Sequence, residues 1–140
     1  MLKVKKFFPD AVLPSKAHKG DAGWDLYSRE EVIIPPQSSI LISTGIGFTV
    51  PDGTYGRIAP RSGVSTKGII VNAGVIDKTY IGEIKCLLVN ISPINDYKVE
   101  KHARIAQVIL EKIVDECEII EVENLETTTR GEGGFGSTGL

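Results

Sequence analysis

The stretch Arg104-Ile-Ala-Gln-Val-Ile-Leu-Glu-Lys-Ile-Val114 decides how the rest of this chain is read. Its apolar residues fall at several helical spacings, so a helix is one reading. Its isoleucine and valine content, and the strand-like runs around it, favour a strand. Working outward, the same pattern recurs. Short runs rich in β-branched residues are broken by Pro35-Pro36, Pro51-Asp52-Gly53, Ser92-Pro93 and Asn95-Asp96. Strands are predicted over 3–7, 24–27, 32–34, 39–42, 47–50, 54–59, 69–71, 83–91, 104–113 and 118–122, with one short helical turn at 62–67. So many short strands with turn signals between them predict an all-β fold, a jelly-roll-like barrel or sandwich. After Val122 the apolar pattern stops and glycine accumulates (ENLETTTRGEGGFGSTGL). The expected organisation is a β body over 1–123 and a flexible glycine-rich C-terminal arm over 124–140.

Composition narrows the function classes. The chain has 140 residues, of which 41% are hydrophobic and 24% charged, as in one folded globular domain. Lys+Arg is 16 against 18 Asp+Glu, a net charge of -2, which speaks against general affinity for nucleic acid or an anionic membrane. A phosphate ligand would need a local constellation. The opening MLKVKKFFPDAVLP has no secretory pattern, and no run reaches membrane-spanning length. A cytoplasmic or nucleocytoplasmic protein without a targeting segment is expected. Cys86 and Cys117 lie in apolar, strand-like runs and are expected as buried free thiols. His18 and His102 lack partners at metal spacing and read as surface residues.

Five segments could carry chemistry. In the tail, Arg130-Gly-Glu-Gly-Gly-Phe-Gly-Ser-Thr-Gly139, glycines let backbone N–H groups approach phosphate oxygens. Arg130 adds a phosphate-matching fork, and Ser137 and Thr138 add hydroxyls. Phe135 is out of place unless it stacks on something, such as a base ring. No Gly-Lys-Ser/Thr is present, so this is not a Walker A loop. Glycine richness alone favours a disordered, solvated tail, and it is Arg130, Phe135 and Ser137-Thr138 together that shift the reading toward a ligand. Arg61, Ser62 and Gly63 follow a strand and place a cation and donors at a helical start, a natural anion site but also an ordinary strand-end turn. In Gly74-Val-Ile-Asp-Lys-Thr-Tyr80, Asp77 sits at a bend, either as a turn former or as a base for water, with Tyr80 as a flat platform for a sugar. Asp25 in Ala22-Gly-Trp-Asp-Leu-Tyr27 could hold a water of a magnesium shell. Gln107 could donate to phosphate or face solvent.

Together, in this order and over this length, the five segments resemble the homotrimeric dUTP pyrophosphatase (dUTPase) family, over Ala22 to Gly139. The resemblance implies a β jelly roll, trimers with active sites between subunits, and Mg²⁺-dependent cleavage of dUTP to dUMP and pyrophosphate. It assigns Asp77 as the base that activates water for in-line attack at the α-phosphorus. Tyr80 would lie under the deoxyribose and exclude a 2′-hydroxyl. Asp25 would orient the metal's water shell. Arg61, Ser62, Gly63 and Gln107 would contact phosphate. The backbone of Asn72, Gly74, Val75 and Ile76, with Lys85 on the facing strand, would read uracil. Phe135 would stack on the base, with Arg130, Gly136, Ser137 and Thr138 on the terminal phosphates. A backbone hairpin suits uracil because amides match its imide edge, while a tight wall rejects the methyl of thymine.

Two departures stand out. The Asn72-to-Gly74 spacing is one residue shorter than in some bacterial members. The fourth segment reads Lys101-His-Ala-Arg104 where many members have Gly-Asp before the arginine. Two rivals exist. The related dCTP deaminases carry an arginine and a glutamate at the positions held here by Thr66 and Leu87. A non-catalytic nucleotide sensor is disfavoured by the presence of both Asp77 and the whole tail.

Overall fold

The computed structural model describes residues 1–139. Leu140, the last residue of the expected arm, lies outside the described residues. The chain forms β1 (Lys3–Lys6), β2 (Trp24–Tyr27), β3 (Val32–Ile34), β4 (Ser38–Ser43), β5 (Ile46–Thr49), β6 (Thr54–Ala59), α1 (Ser62–Ser65), β7 (Ile69–Asn72), β8 (Val75–Ile76), β9 (Lys85–Asn90), β10 (Tyr97–Val99) and β11 (Arg104–Lys112). Arg104–Lys112 is thus a strand, and the helical turn after β6 forms where the sequence places it. Two corrections concern the elements. Residues 118–122 are not a strand, and β8 and β10 were not foreseen. Two or three residues are too few to carry a readable period.

One four-stranded sheet runs β2-β11-β6-β8, and a three-stranded sheet runs β4-β9-β7. Two ribbons, β1-β5 and β10-β3, accompany them, and every ladder is antiparallel. The strands obey the period of two. In β9, Cys86, Leu88 and Asn90 are buried while Lys85 is exposed and Leu87 and Val89 are half-buried. Leu26, Ile58, Ile105 and Val108 from the first sheet meet Ile42, Ile69 and Leu88 from the second in one core. Ile34, Val99, Ile46 and Phe48 of the ribbons join it. Each such side chain contributes about 1.5–3 kcal/mol on burial. This is the jelly-roll-like all-β architecture that the sequence predicts. Buried Asn90 is satisfied: its amide donates to the carbonyls of Ile34 (2.9 Å) and Asn95 (2.8 Å) and its oxygen accepts from the Ser92 amide.

Cys86 is fully buried, and desolvation pushes its thiol up to about 12. Cys117 is exposed, against expectation, because its segment pairs with no strand here. His18 and His102 are on the surface. Among the described residues no helix is long and apolar enough to cross a membrane.

Candidate active site

The bond pattern of the first sheet builds one polar corner. Gln107 of β11 stands between Asp25 on β2 and Ala59 on β6. β6 ends at Ala59, Pro60 turns the chain, and Arg61 caps the start of α1. The Arg61 Nε donates to Asp25 Oδ1 at 2.8 Å, and the Asp25 side chain is only 14% exposed. The Gln107 amide donates to the Pro60 carbonyl at 2.9 Å, so it fixes the turn that presents Arg61, Ser62 and Gly63. No side chain caps α1, so its opening amides await an acceptor. The resulting cleft of about 480 Å³ is lined by Asp25, Arg61, Ser62, Gly63 and Gln107 together with residues 17 and 21–23. The corner combines one shielded carboxylate with cationic and amide donors, a suitable receptor for a polyanion.

Two contributors escape a sequence reading. Arg104 lies with Nη1 3.8 Å from Asp25 Oδ2, and its carbonyl accepts from Arg61 at 3.4 Å. The β2–β11 register shifts between Arg104 and Ala106, and such an irregularity re-aims a side chain. Gly23 is the second. A Cβ there would sit 2.4 Å from Gln107 Oε1, so glycine keeps the glutamine in place. Nothing in the local spacing signals either. Just before this strand, His102 takes φ 65, a conformation easy for glycine. Its ring Nε2 reaches the Asp10 carbonyl at 3.0 Å.

The second group is the hairpin after β7. Asn72 Oδ1 accepts from the Ala73 amide at 2.9 Å, and Ala73 and Gly74 have φ of 55 and 102. Gly74 packs flush on β6. Its carbonyl accepts from the Ile58 amide at 2.8 Å, and a Cβ would meet the Ile58 carbonyl at 2.8 Å. β8 then pairs Val75 with Arg57 and Ile76 with Gly56. Asp77 follows, exposed, its carbonyl accepting from the Tyr80 amide at 3.0 Å. Pairing of β7 with β9 ends at Asn72 and Leu87, which sets exposed Lys85, two residues further along β9, level with the Gly74 turn.

Asp77 and Arg61 lie toward opposite ends of β6, with Gly74 of the hairpin beside Ile58 between them. Asp77 follows the Gly56 pairing, whereas Arg61 leaves beyond Ala59. Five to six residues at ~3.3 Å each separate them by roughly 15–20 Å. A third group stands alone. In the tail, Arg130 Nε donates to the Gly133 carbonyl at 2.8 Å, and successive turns join Thr128 to Gly131, Arg130 to Gly133, Gly134 to Ser137 and Gly136 to Gly139. Arg130, Gly136, Ser137 and Thr138 line a small concavity of their own, while Phe135 is fully exposed. Among the described residues, Asp25, Arg61, Ser62, Gly63 and Gln107 line one cleft, and no hairpin or tail residue lines it.

Comparison with known proteins shows which family the chain resembles over its length. The sequence profile of dUTPase matches residues 10–139. Deoxyuridine 5'-triphosphate nucleotidohydrolase of Clostridioides difficile is 51% identical over 142 residues, covering 99% of this chain and 98% of that one. Among solved structures, Staphylococcus bacteriophage 80alpha dUTPase with dUPNHPP superposes with a TM-score of 0.93 at 32% identity, covering 100% and 99% of the two chains. A variant of the phage phi11 dUTPase from S. aureus, described for its coordination of a structural Mg(II) ion, gives 0.83 at 26% identity over 91% of this chain and 99% of that one. With the profile spanning residues 10–139 and a relative 51% identical over 99% of its length, this chain belongs to the dUTPase family.

Proposed function

We propose that the protein hydrolyses dUTP to dUMP and pyrophosphate, which supplies dUMP and limits uracil in DNA. The observation that carries this reading is Asp77, an exposed carboxylate immediately after the hairpin that the family motif assigns to uracil. Asp77 takes the proton of the attacking water at the α-phosphorus, and the pyrophosphate leaves in line. Arg61, Ser62, Gly63 and Gln107 hold phosphate oxygens, so the step is chiefly positioning and neutralisation of charge. Lys85 and the backbone of Asn72, Gly74, Val75 and Ile76 select the base. Tyr80 lies under the sugar. The arm, 124–140, closes the site, with Phe135 over the base and Arg130, Gly136, Ser137 and Thr138 on the outer phosphates.

A base must lie within hydrogen-bond reach of its water. In one chain Asp77 lies on the order of 15–20 Å from Arg61 along β6, too far to act on a phosphate bound there. This favours a site shared between copies, as in the homotrimer that the family resemblance implies. Exposed apolar side chains are available for such assembly: Val75, Ile81, Ile119, Ile120 and Leu125 are 66–97% exposed.

Among the described residues no cluster of three or more His, Cys, Asp or Glu could hold a metal ion. A single shielded carboxylate, Asp25, fits Mg²⁺ that arrives on the substrate's phosphates and keeps its waters. Asp25 would hold Mg²⁺ through water there, and the ion would supply charge neutralisation. The testing experiment is pyrophosphate release from dUTP with and without Mg²⁺, beside ammonia release from dCTP. Fast Mg²⁺-dependent pyrophosphate release is expected. Tight dUTP binding without turnover would indicate a sensor, and ammonia from dCTP a deaminase.

A further inference from the structure

Tyr80 is held by its own stretch of chain. Its hydroxyl donates to the Glu83 carbonyl at 2.7 Å, closing a small loop with the Tyr80 amide bond to Asp77. The ring folds back over Gly82. A Cβ added at Gly82 would stand 2.6 Å from the phenolic oxygen and 2.7 Å from the ring carbon that bears it. Glycine at 82 is thus a steric condition of this ring position. The ring is 44% exposed, and without that hydroxyl bond it would have a choice of rotamers.

The carbonyl that receives the hydroxyl belongs to an anchored residue. The Glu83 carboxylate accepts from the Ser43 hydroxyl and from the Gly45 amide, the latter at 3.0 Å, both through Oε1. Both donors flank the turn between β4 and β5, some forty positions away in sequence. The next residue, Ile84, is fully buried, donates its amide to the Ile46 carbonyl at 2.7 Å and accepts from the Thr44 amide and hydroxyl. Residues 82–84 are therefore tied to this turn by a side chain and by the backbone.

The geometry points to Glu83 as a positioning residue that fixes the Tyr80 ring and so sets selection of deoxyribose over ribose. This rests on the reading of Tyr80 as the platform under the sugar. A 2′-hydroxyl adds one oxygen on the side facing the ring, and only a ring that cannot retreat excludes it. With the Glu83 side chain removed, its carbonyl can shift, the ring can follow, and a ribonucleotide gains room.

The test is the ratio of kcat/KM for dUTP to that for UTP, which does not depend on how much of a preparation is folded. Glu83→Ala should lower this ratio about tenfold, the scale expected when a positioned group is displaced by a fraction of an ångström. Glu83→Gln should hold it within about twofold, because an amide oxygen still accepts from both donors. Tyr80→Phe, which removes the hydroxyl and leaves the anchor, should move the ratio in the same direction as Glu83→Ala. If Glu83→Ala fails to fold, Ser43→Ala removes one of the two donors and should give a smaller fall in the ratio. Folded Glu83→Ala, or in its place Ser43→Ala, with the wild-type ratio would overturn the proposal. A wild-type enzyme indifferent to the 2′-hydroxyl would instead overturn the platform reading of Tyr80, and this inference with it.

Discussion

The Asp25–Arg61 corner and the tail at 130–139 offer similar chemistry to a polyphosphate, yet they are built in opposite ways. In the corner, strand pairing fixes Asp25 and Gln107 side by side, and Gln107 and Asp25 in turn hold the Pro60–Arg61 turn. Its donors are in place before any ligand arrives. In the tail, among the described residues, the backbone hydrogen bonds of 130–139 join residues 128–139 to one another, and Phe135 is bare. Ordering such a segment costs about 1–2 kcal/mol per residue fixed. In the proposed function, stacking and charge-assisted bonds to the ligand offset that cost. The contrast suits a division of labour in which the body binds and the tail closes, then lets product leave.

The sharpest way to probe this division is to remove the chemistry from both. Asp77→Asn should lower kcat by roughly 10³–10⁴-fold while the dissociation constant for dUPNHPP stays within a few-fold, since only the base is lost. Near-normal turnover would remove Asp77 from its role. Truncation before Arg130 should come next, with kcat/KM down about 10²–10³-fold and an unchanged thermal midpoint, as for a lost closing element. A lowered midpoint would make the tail part of the fold and end the contrast. Phe135→Ala should cost only about tenfold, because stacking is lost and the phosphate donors stay. A loss equal to truncation would mean that the ring, not Arg130 and the hydroxyls, carries closure.

The smallest expected effect belongs to the body alone. Glu111 accepts from the Tyr55 hydroxyl at 2.6 Å and from Arg57 Nε at 2.5 Å. The Tyr55 bond first, and Arg57 after it, hold its carboxyl below the ordinary value of 4.5. A carboxylate depressed in the folded state stabilises it above the unfolded value, and that contribution fades as pH falls through the folded one. Glu111→Gln should therefore show a shallower loss of stability on acidification below the ordinary carboxylate range. An unchanged acid limb would show that the cluster adds nothing there.

Much of this was legible in the chain. β-branched content resolved Arg104–Lys112 as a strand, and turn residues located most of its neighbours. Residues 118–122 misled because Glu-Ile-Ile-Glu-Val has strand chemistry, while a strand also needs a partner edge, and none pairs with it in a single copy. The expectation of a buried Cys117 failed for the same reason. Arg104 and Gly23 were invisible as site residues because their roles arise from a register shift and a side-chain contact across strands. Local spacing encodes neither. The separation of Asp77 from Arg61 along β6 likewise emerged only from pairing.

That separation is the centre of the account, and complementation between inactive chains tests it most directly. Asp77→Asn chains and Arg61→Ala chains are unfolded together, refolded as a mixture, and assayed for pyrophosphate release from dUTP. If each site takes Asp77 from one copy and Arg61 from another, mixed trimers contain sites with both intact, and activity rises well above either parent. Activity no greater than the sum of the two parents, in a mixture shown by native mass to contain mixed trimers, would contradict the shared site.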